Sequence, residues 1–420
     1  MAYTTIDDPS EYFHIQLYTG NNTDDRSITN DANAGDFSPD WLWIKNRSGT
    51  NGHALVDTTR GATKVIRSNA TNAEETEANA IQAFETDGFQ IGTSGLVNTN
   101  SNNYVAWQWK ANGGSASASG SESGLNAAYS RQTNSTAGFS IITYTGLGTS
   151  GSGSPVVPHG LGAKPDMLWI KNRSSNSTDW ALWWNAENSA GTNVFQGFDT
   201  GAHGGSGGSL HFGDVAPDST NVSLGAVPGS GDTASTRTNT DGDNYVMYAF
   251  KSIRGYSQFG AYTGNGNANG TFINLGFKPQ FIIIKRTDDT ASFFVCDSVR
   301  DTNSLGGPNT QGGAQSQHQQ LFAEATDAEG TYNSTAGDFL SNGYRLRSTN
   351  ASTNANGGDY VYMAFAKHPF VSSEGVPVQR GRRGYGRRHR PGGCLPPLGL
   401  RGRRRPRPLR RSHLVRGRSV

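Results

Sequence analysis

The chain has 420 residues with 55 glycines, two cysteines and an apolar fraction of only 34%. Its apolar residues gather in short aromatic and β-branched runs separated by turn residues, which predicts an all-β protein, and the two cysteines exclude a disulfide framework. The net charge of +2 hides a division: 15 of the 36 basic residues are arginines beyond position 379, leaving 21 basic against 34 acidic residues before it. An acidic body repels DNA and phospholipid, so any nucleic-acid contact would fall to the tail.

The start, Met1 to Ser10, has no basic n-region or apolar stretch, and no run approaches the length of a bilayer crossing. The sequence therefore predicts a soluble chain without membrane insertion. Tyr12 to Tyr18 alternates as a strand and ends in Tyr18-Thr-Gly20, followed by an exposed turn through Asp25. The run Trp41-Leu-Trp-Ile44 is apolar on both faces, as a strand is when both sides are covered, and Lys45-Asn-Arg47 is expected to mark its exit to solvent. The one helical candidate is Thr71 to Phe84, with Glu74 and Glu75 suited to an N-terminal turn. Thr86-Asp-Gly-Phe89 reads as a tight turn, and Tyr104 to Trp109 as the closing strand.

These landmarks recur. Tyr18-Thr-Gly20 returns as Tyr144-Thr-Gly146 and Tyr262-Thr-Gly264, at spacings of 126 and 118 residues. Pro39-Asp-Trp-Leu-Trp-Ile-Lys-Asn-Arg47 is matched by Pro165-Asp-Met-Leu-Trp-Ile-Lys-Asn-Arg173 and more loosely by Pro279-Gln-Phe-Ile-Ile-Ile-Lys-Arg286; Tyr104-Val-Ala-Trp-Gln-Trp109 is matched by Tyr245 to Phe250 and Tyr360 to Phe365. A period this long is that of a domain rather than a solenoid turn. The expected organisation is three tandem antiparallel β-sandwiches of the jelly-roll or concanavalin-like kind, at 1–110, 138–255 and 256–378. A flexible Gly/Ser-rich linker at 111–137 would let the first swing freely while the second and third move together. The second repeat has drifted most, with a nearly side-chain-free stretch from Gly201 to Gly208 that reads as a mobile insertion.

No phosphate loop, His-Glu-x-x-His or Gly-x-Ser-x-Gly motif is present, so no enzyme is predicted. Asp179, Trp180, Trp183, Trp184 and Asn185 form a run peculiar to the second repeat. If exposed, its rings would cover the apolar face of a pyranose while the polar neighbours take hydroxyls; the competing reading is a buried strand, because Ser292-Phe-Phe-Val295 stands in its place in the third repeat. The other tryptophans, replaced by aliphatics in the third repeat, read as core. Asp241 and Asp243 are candidates for calcium against the alternative of a plain turn. No other cofactor is expected.

The tail from Gln379 to Val420 lacks Asp, Glu, Lys, Asn, Thr, Ile and Phe and cannot fold into a core. Two readings stand: an Arg-rich arm gripping nucleic acid or an acidic partner, or the product of a shifted reading frame beyond Val378.

Together, Tyr3-Thr-Thr-Ile-Asp-Asp-Pro9, the Pro39 to Arg47 strand, Asp57-Thr-Thr-Arg-Gly-Ala-Thr-Lys64 with Arg67-Ser-Asn69, and Tyr104 to Lys110 resemble a repeated domain of marine bacteriophage virion proteins of the structural, tail-fibre-like class. The resemblance runs from the N-terminus to about Val378. It implies a lectin-like β-sandwich and a place on the surface of a particle assembled in the bacterial cytoplasm, among other virion proteins. It supplies no catalytic residues. The expected function is host-surface glycan attachment by linked domains, multiplied if the chain forms homo-oligomers on the particle. The alternatives are a ligand-free structural or capsid decoration protein, and a polysaccharide depolymerase, which would need an acidic pair across a groove.

Overall fold

The computed structural model describes residues 4–31, 36–148, 154–187, 193–204, 210–225, 235–300, 318–332 and 337–369. The tail from Gln379, and residues 205–208 of the glycine-rich stretch of the second repeat, lie outside them. The described chain is almost wholly β, and its strand pairs are antiparallel.

Each repeat contributes a larger sheet whose strands follow one spatial order. In the first repeat this is Phe13–Thr19, Asn103–Trp109, Trp41–Asn46, Ala54–Asp57. In the second, Phe139–Thr145, Asn244–Phe250, Met167–Asn172, Ala181–Glu187 and Asn193–Gln196 occur in the same sense, and Ser257–Thr263, Asp359–Pro369, Phe277–Arg286, Phe294–Asp297 and His318–Phe322 repeat it in the third. The registers coincide: Thr19 faces Asn103, Thr145 faces Asn244, and Thr263 faces Asp359. A smaller sheet covers each larger one: Arg26–Thr29, Gly88–Ile91 and Ile81–Glu85 in the first repeat, Val156–Pro158 with Asn221–Ser223 in the second, and Phe272–Asn274, Gly343–Leu346 and Gly337–Leu340 in the third.

Alternation along the strands explains the runs that are apolar on both faces. Leu42 and Ile44 point into a cluster with Ile28, Phe89 and Ile91 of the small sheet; Leu168 with Ile170, and Ile282 with Ile284, do the same in their repeats. The opposite faces, with Trp41, Trp43, Trp107 and Trp109, then Trp169, Tyr248 and Phe250, then Phe281, Ile283, Met363 and Phe365, all enter one shared core. Trp41 stacks on Tyr248 with ring centroids 4.5 Å apart, and Phe13 stacks on Phe365 at 4.9 Å. Burial on both faces is the condition under which a strand carries no polar face.

The sequence expectation of a freely swinging first repeat is therefore corrected. Residues 1–373 form one compact unit, because a large aromatic face left in water by any one repeat is covered by the other two. The supposed linker is ordered as well. Ala118–Gly120 and Tyr129–Asn134 extend the second repeat's large sheet as a strap along Phe139–Thr145. The Asp40 carboxylate accepts from the backbone N–H groups of Ala111, Gly113 and Gly114.

The expected helix at Thr71 to Phe84 is likewise replaced by two strands, Glu75–Thr76 and Ile81–Glu85. Glu74 does not cap a helix: its N–H donates to Arg173 O at 2.9 Å and its carboxylate binds Arg60 and Arg173.

The Tyr-Thr-Gly motif has a structural cause. Tyr18 stacks on Tyr104, Tyr144 on Tyr245 and Tyr262 on Tyr360, at 5.1, 5.0 and 4.8 Å, and the first ring of each pair donates its hydroxyl to a backbone carbonyl. The glycine then passes over backbone: a Cβ on Gly20, Gly146 or Gly264 would meet a carbonyl oxygen at 2.2 Å. Asn98, Asn239 and Asn354 each accept, through Oδ1, the N–H of the residue after that glycine.

Candidate functional site

The three repeats meet at three seams that run in one sense, first to second, second to third and third to first. The lysine of the repeated apolar strand marks each. Lys45 Nζ donates to Thr326 O, Lys171 Nζ to Thr71 O and Lys285 Nζ to Gly201 O, at 3.1, 2.9 and 2.7 Å. In each case the acceptor belongs to the neighbouring repeat. All three lysines are fully buried, so the expected exit to solvent at Lys45 is corrected. Burial pushes each ammonium down to about 8, against the pull of nearby carboxylates. An ammonium fits here because backbone carbonyls of two repeats converge on it, which an apolar side chain would leave unsatisfied.

Two seams add an ion relay. At the first-to-second seam Asp57 holds Arg60, Arg60 reaches Glu74 at 3.0 Å, and Glu74 binds Arg173 of the second repeat at 2.8 Å; Tyr248 donates its hydroxyl to Asp57 at 2.7 Å. At the third-to-first seam Asp297 holds Arg300, Arg300 reaches Glu329 at 2.8 Å, Glu329 binds Arg47 at 2.6 Å, and Trp107 Nε1 donates to Asp297 at 3.0 Å. Burial alone would raise the Glu74 carboxyl, but hydrogen bonds and charge from Arg173 and Arg60 hold it below the usual range. The Arg60 guanidinium, which burial alone would push down, is held above its ordinary value chiefly by Asp57.

Among the described residues the second-to-third seam lacks this relay. By strand register Trp184 stands where Asp57 and Asp297 stand, and Met363 where Tyr248 and Trp107 stand. Thr287 replaces the receiving arginine, and the sequence has no arginine between Arg173 and Arg237. What persists is backbone: His203 N–H donates to Thr287 O at 2.7 Å, as Glu74 N–H does to Arg173 O and Glu329 N–H to Arg47 O.

This geometry overturns the sugar-stacking patch. Trp180, Trp183 and Trp184 are at most 1% exposed. Trp183 packs toward the small sheet, Trp180 and Trp184 enter the shared core, and Trp180 Nε1 donates to Arg67 O across a seam. Their flanking residues do not rescue the patch: Asn185 is exposed and bonds Asp166, while Asp179 is half-buried beside Arg237, 3.7 Å away. Burial, opposed by Arg237, raises the Asp179 carboxyl. Asp179 and Asp199 both converge on Gly197, where a Cβ would meet their oxygens at 2.2 and 2.6 Å. That acidic pair lies beside the seam lysines and lines no groove described here.

Asp241 and Asp243 flank Gly242, whose φ is 71°, in a turn that Ser101 and Gly357 also make with positive φ. The Asp243 carboxylate accepts from Asn172 Nδ2 at 2.8 Å. Among the described residues no three His, Cys, Asp or Glu side chains come together as a metal site, and no helix is long and apolar enough to cross a membrane.

Among the described residues an open groove of about 370 Å³ lies where the strap runs along the large sheet of the second repeat. Its lining includes Glu122, Tyr129, Thr143, Tyr144, Arg173 and Asn244. Its rings offer no free platform: Tyr144 is stacked on Tyr245, and Tyr129 lies between Gly120 and the Arg131 guanidinium, 5.4 Å from its centroid. The groove thus presents hydrogen-bonding groups rather than ring faces, with one carboxylate, Glu122, among its lining residues. Sequence reasoning passes over it because the strap reads as linker by composition.

Fold and seams define an all-β, β-sandwich-like protein whose repeated motif residues join its own parts. The chain belongs to the family described as a domain of unknown function (DUF7483), whose model matches residues 8–369 and so spans all three repeats. No curated protein matches it.

Proposed function

We propose that the protein is a non-enzymatic structural component of a bacteriophage particle, tail-fibre-like and surface-placed, built from three β-sandwiches of the jelly-roll or concanavalin-like kind. The observation that carries the reading is the use to which the repeated residues are put. Lys45, Lys171 and Lys285, the Tyr-Thr-Gly tyrosines and the aromatic strands are all spent on internal bonds and packing. What the chain repeats is therefore its own architecture, as a scaffold requires and a catalyst does not. Support for the particle itself comes from the landmark motifs, which resemble virion proteins. Its partners on this reading are other virion proteins, and it is assembled in the bacterial cytoplasm. Mass spectrometry and immunogold labelling of purified particles test it: the chain is expected among the surface proteins, and its absence from the particle sinks the reading.

A second reading, attachment to a host-surface glycan, is favoured by the groove at Glu122, Tyr129, Arg173 and Asn244. Its open, hydroxyl-rich lining, with the Asn244 amide and the Glu122 carboxylate, suits a hydrated saccharide held by hydrogen bonds. Whole-cell and glycan-array binding of the full chain beside Glu122→Gln decides this. Binding reduced in the variant at unchanged melting temperature supports attachment through the groove; equal binding places the contact away from Glu122, and no binding by either protein leaves the scaffold reading alone.

A further inference from the structure

We propose that residues 322–329 of the third repeat form an acid-released latch on the first repeat, with the His53 imidazole as its trigger. Each repeat lays one such segment on its neighbour, and one position of the neighbour meets it. By strand register Ala54, Ala181 and Phe294 are equivalent, so the residues before them, His53, Trp180 and Phe293, are equivalent too. Trp180 donates its indole N–H to Arg67 O of the first repeat, and Phe293 packs on Phe198 of the second with ring centroids 5.2 Å apart. Neither side chain takes up a proton. His53 does, and it is wholly buried. Its Nε2 lies 3.0 and 3.1 Å from Phe322 O and Ala325 O, and its Nδ1 accepts the Trp43 indole N–H at 2.8 Å. Carbonyls only accept and an indole only donates, so these partners fix the neutral ring with its hydrogen on Nε2. A second proton would set the Nδ1 hydrogen against that of Trp43, with no acceptor for either.

The rest of the latch is polar as well. Ser68 Oγ donates to Ala323 O at 2.6 Å, Lys45 Nζ to Thr326 O at 3.1 Å, and Arg47 Nη2 to Glu329 at 2.6 Å. The charged groups around the ring are Lys45 and Arg67 of the first repeat, Arg67 being paired with Glu75, and Glu324, Asp327 and Glu329 of the latch, the last bound by Arg47 and Arg300. Burial and then the Lys45 charge push the imidazole down to about 3 from 6.5. Between those values the released ring takes a proton that the docked ring refuses, so release becomes easier as pH falls below 6.5. Glu324 acts in the opposite sense: burial raises its carboxyl, so falling pH favours its buried form. A variant that changes His53 alone separates the two.

Amide hydrogen exchange in the full-length chain tests the proposal, because each seam carries an equivalent reporter. The Glu329 N–H donates to Arg47 O, the Glu74 N–H to Arg173 O and the His203 N–H to Thr287 O. In His53→Gln the new amide donates to the carbonyls and accepts from Trp43 without titrating. Between about pH 7.5 and pH 5, protection of the wild-type Glu329 amide, corrected for its intrinsic exchange rate, is expected to fall about 30-fold relative to the same amide in His53→Gln. The Glu74 and His203 amides are expected to keep their protection. A Glu329 amide that loses none, or three amides that lose it together, overturns the proposal, and wild type alone decides this should His53→Gln not fold. A His53→Gln chain that retains the wild-type pH dependence overturns it as well.

Discussion

The Tyr248 hydroxyl donates to the Asp57 carboxylate at 2.7 Å across 191 positions of chain, and both groups are fully buried. Tyr248→Phe leaves the shape of this seam intact but removes a donor from a carboxylate that also holds Arg60. The expected loss is about 1–3 kcal/mol, the cost of an under-satisfied buried polar group, read from the urea midpoint at unchanged slope. Met363 holds the same position in the third repeat, where Trp184 rather than an aspartate stands in the corresponding register. An unaltered midpoint in Tyr248→Phe would show that Arg60 alone satisfies Asp57.

Trp183→Ala tests the role of the tryptophan run. With the indole buried between sheets, truncation is expected to cost about 3–5 kcal/mol and to lower the melting temperature sharply. Any loss of ligand binding should follow unfolding. A variant that melts like wild type would place the ring in solvent and restore the stacking patch.

Gly20→Ala places a methyl 2.2 Å from Thr99 O. Since the obstacle is backbone, the loop must move, and overpacking of this kind costs about 1–3 kcal/mol. The same substitution at Gly146 or Gly264 meets the same geometry, so the three variants should lose similar amounts in thermal denaturation. A loss confined to one would contradict the equivalence of the turns.

Acid and alkali act through different groups. His53 is pushed down to about 3 by burial and by Lys45, so below its ordinary value of 6.5 the unfolded chain binds a proton that the folded chain refuses. Stability is therefore lost as pH falls from 6.5 toward 3. The seam lysines, lowered to about 8 from 10.5, bear the cost of a buried charge below pH 8. Their contribution to stability rises as pH climbs from 8 toward 10.5. Denaturation profiles of wild type beside Lys45→Met should show a shallower alkaline rise in the variant; superimposable slopes would mean that Lys45 titrates normally.

Much of this fold is readable in the sequence, and the limits of that reading are physical. Trp41-Leu-Trp-Ile44 announces a strand covered on both sides, and the structure supplies a small sheet on one side and two other repeats on the other. Whether the second cover is within a repeat or between repeats cannot be read from alternation, which records burial but not its source. Lys45 misleads for a related reason. A lysine after an apolar run ordinarily marks the surface, but its recurrence at Lys171 and Lys285 was a signal that a buried carbonyl cluster recurs too. The Ala111 to Ala137 stretch hides its strap because Gly and Ser suggest flexibility, while Asp40 and Gln132, which fix it, lie outside its first residues.

The strap brings one more consequence. Three identical subunits around an axis would repeat every substitution three times, so no side of such a trimer could differ from the others. Here the three thirds are written separately, and each can change alone. The relay could vanish from one junction and a hairpin could be laid along one flank without disturbing the rest. A ring that would otherwise look the same from three directions thereby acquires a single distinguished side, and anything that binds the groove there meets the molecule in one orientation.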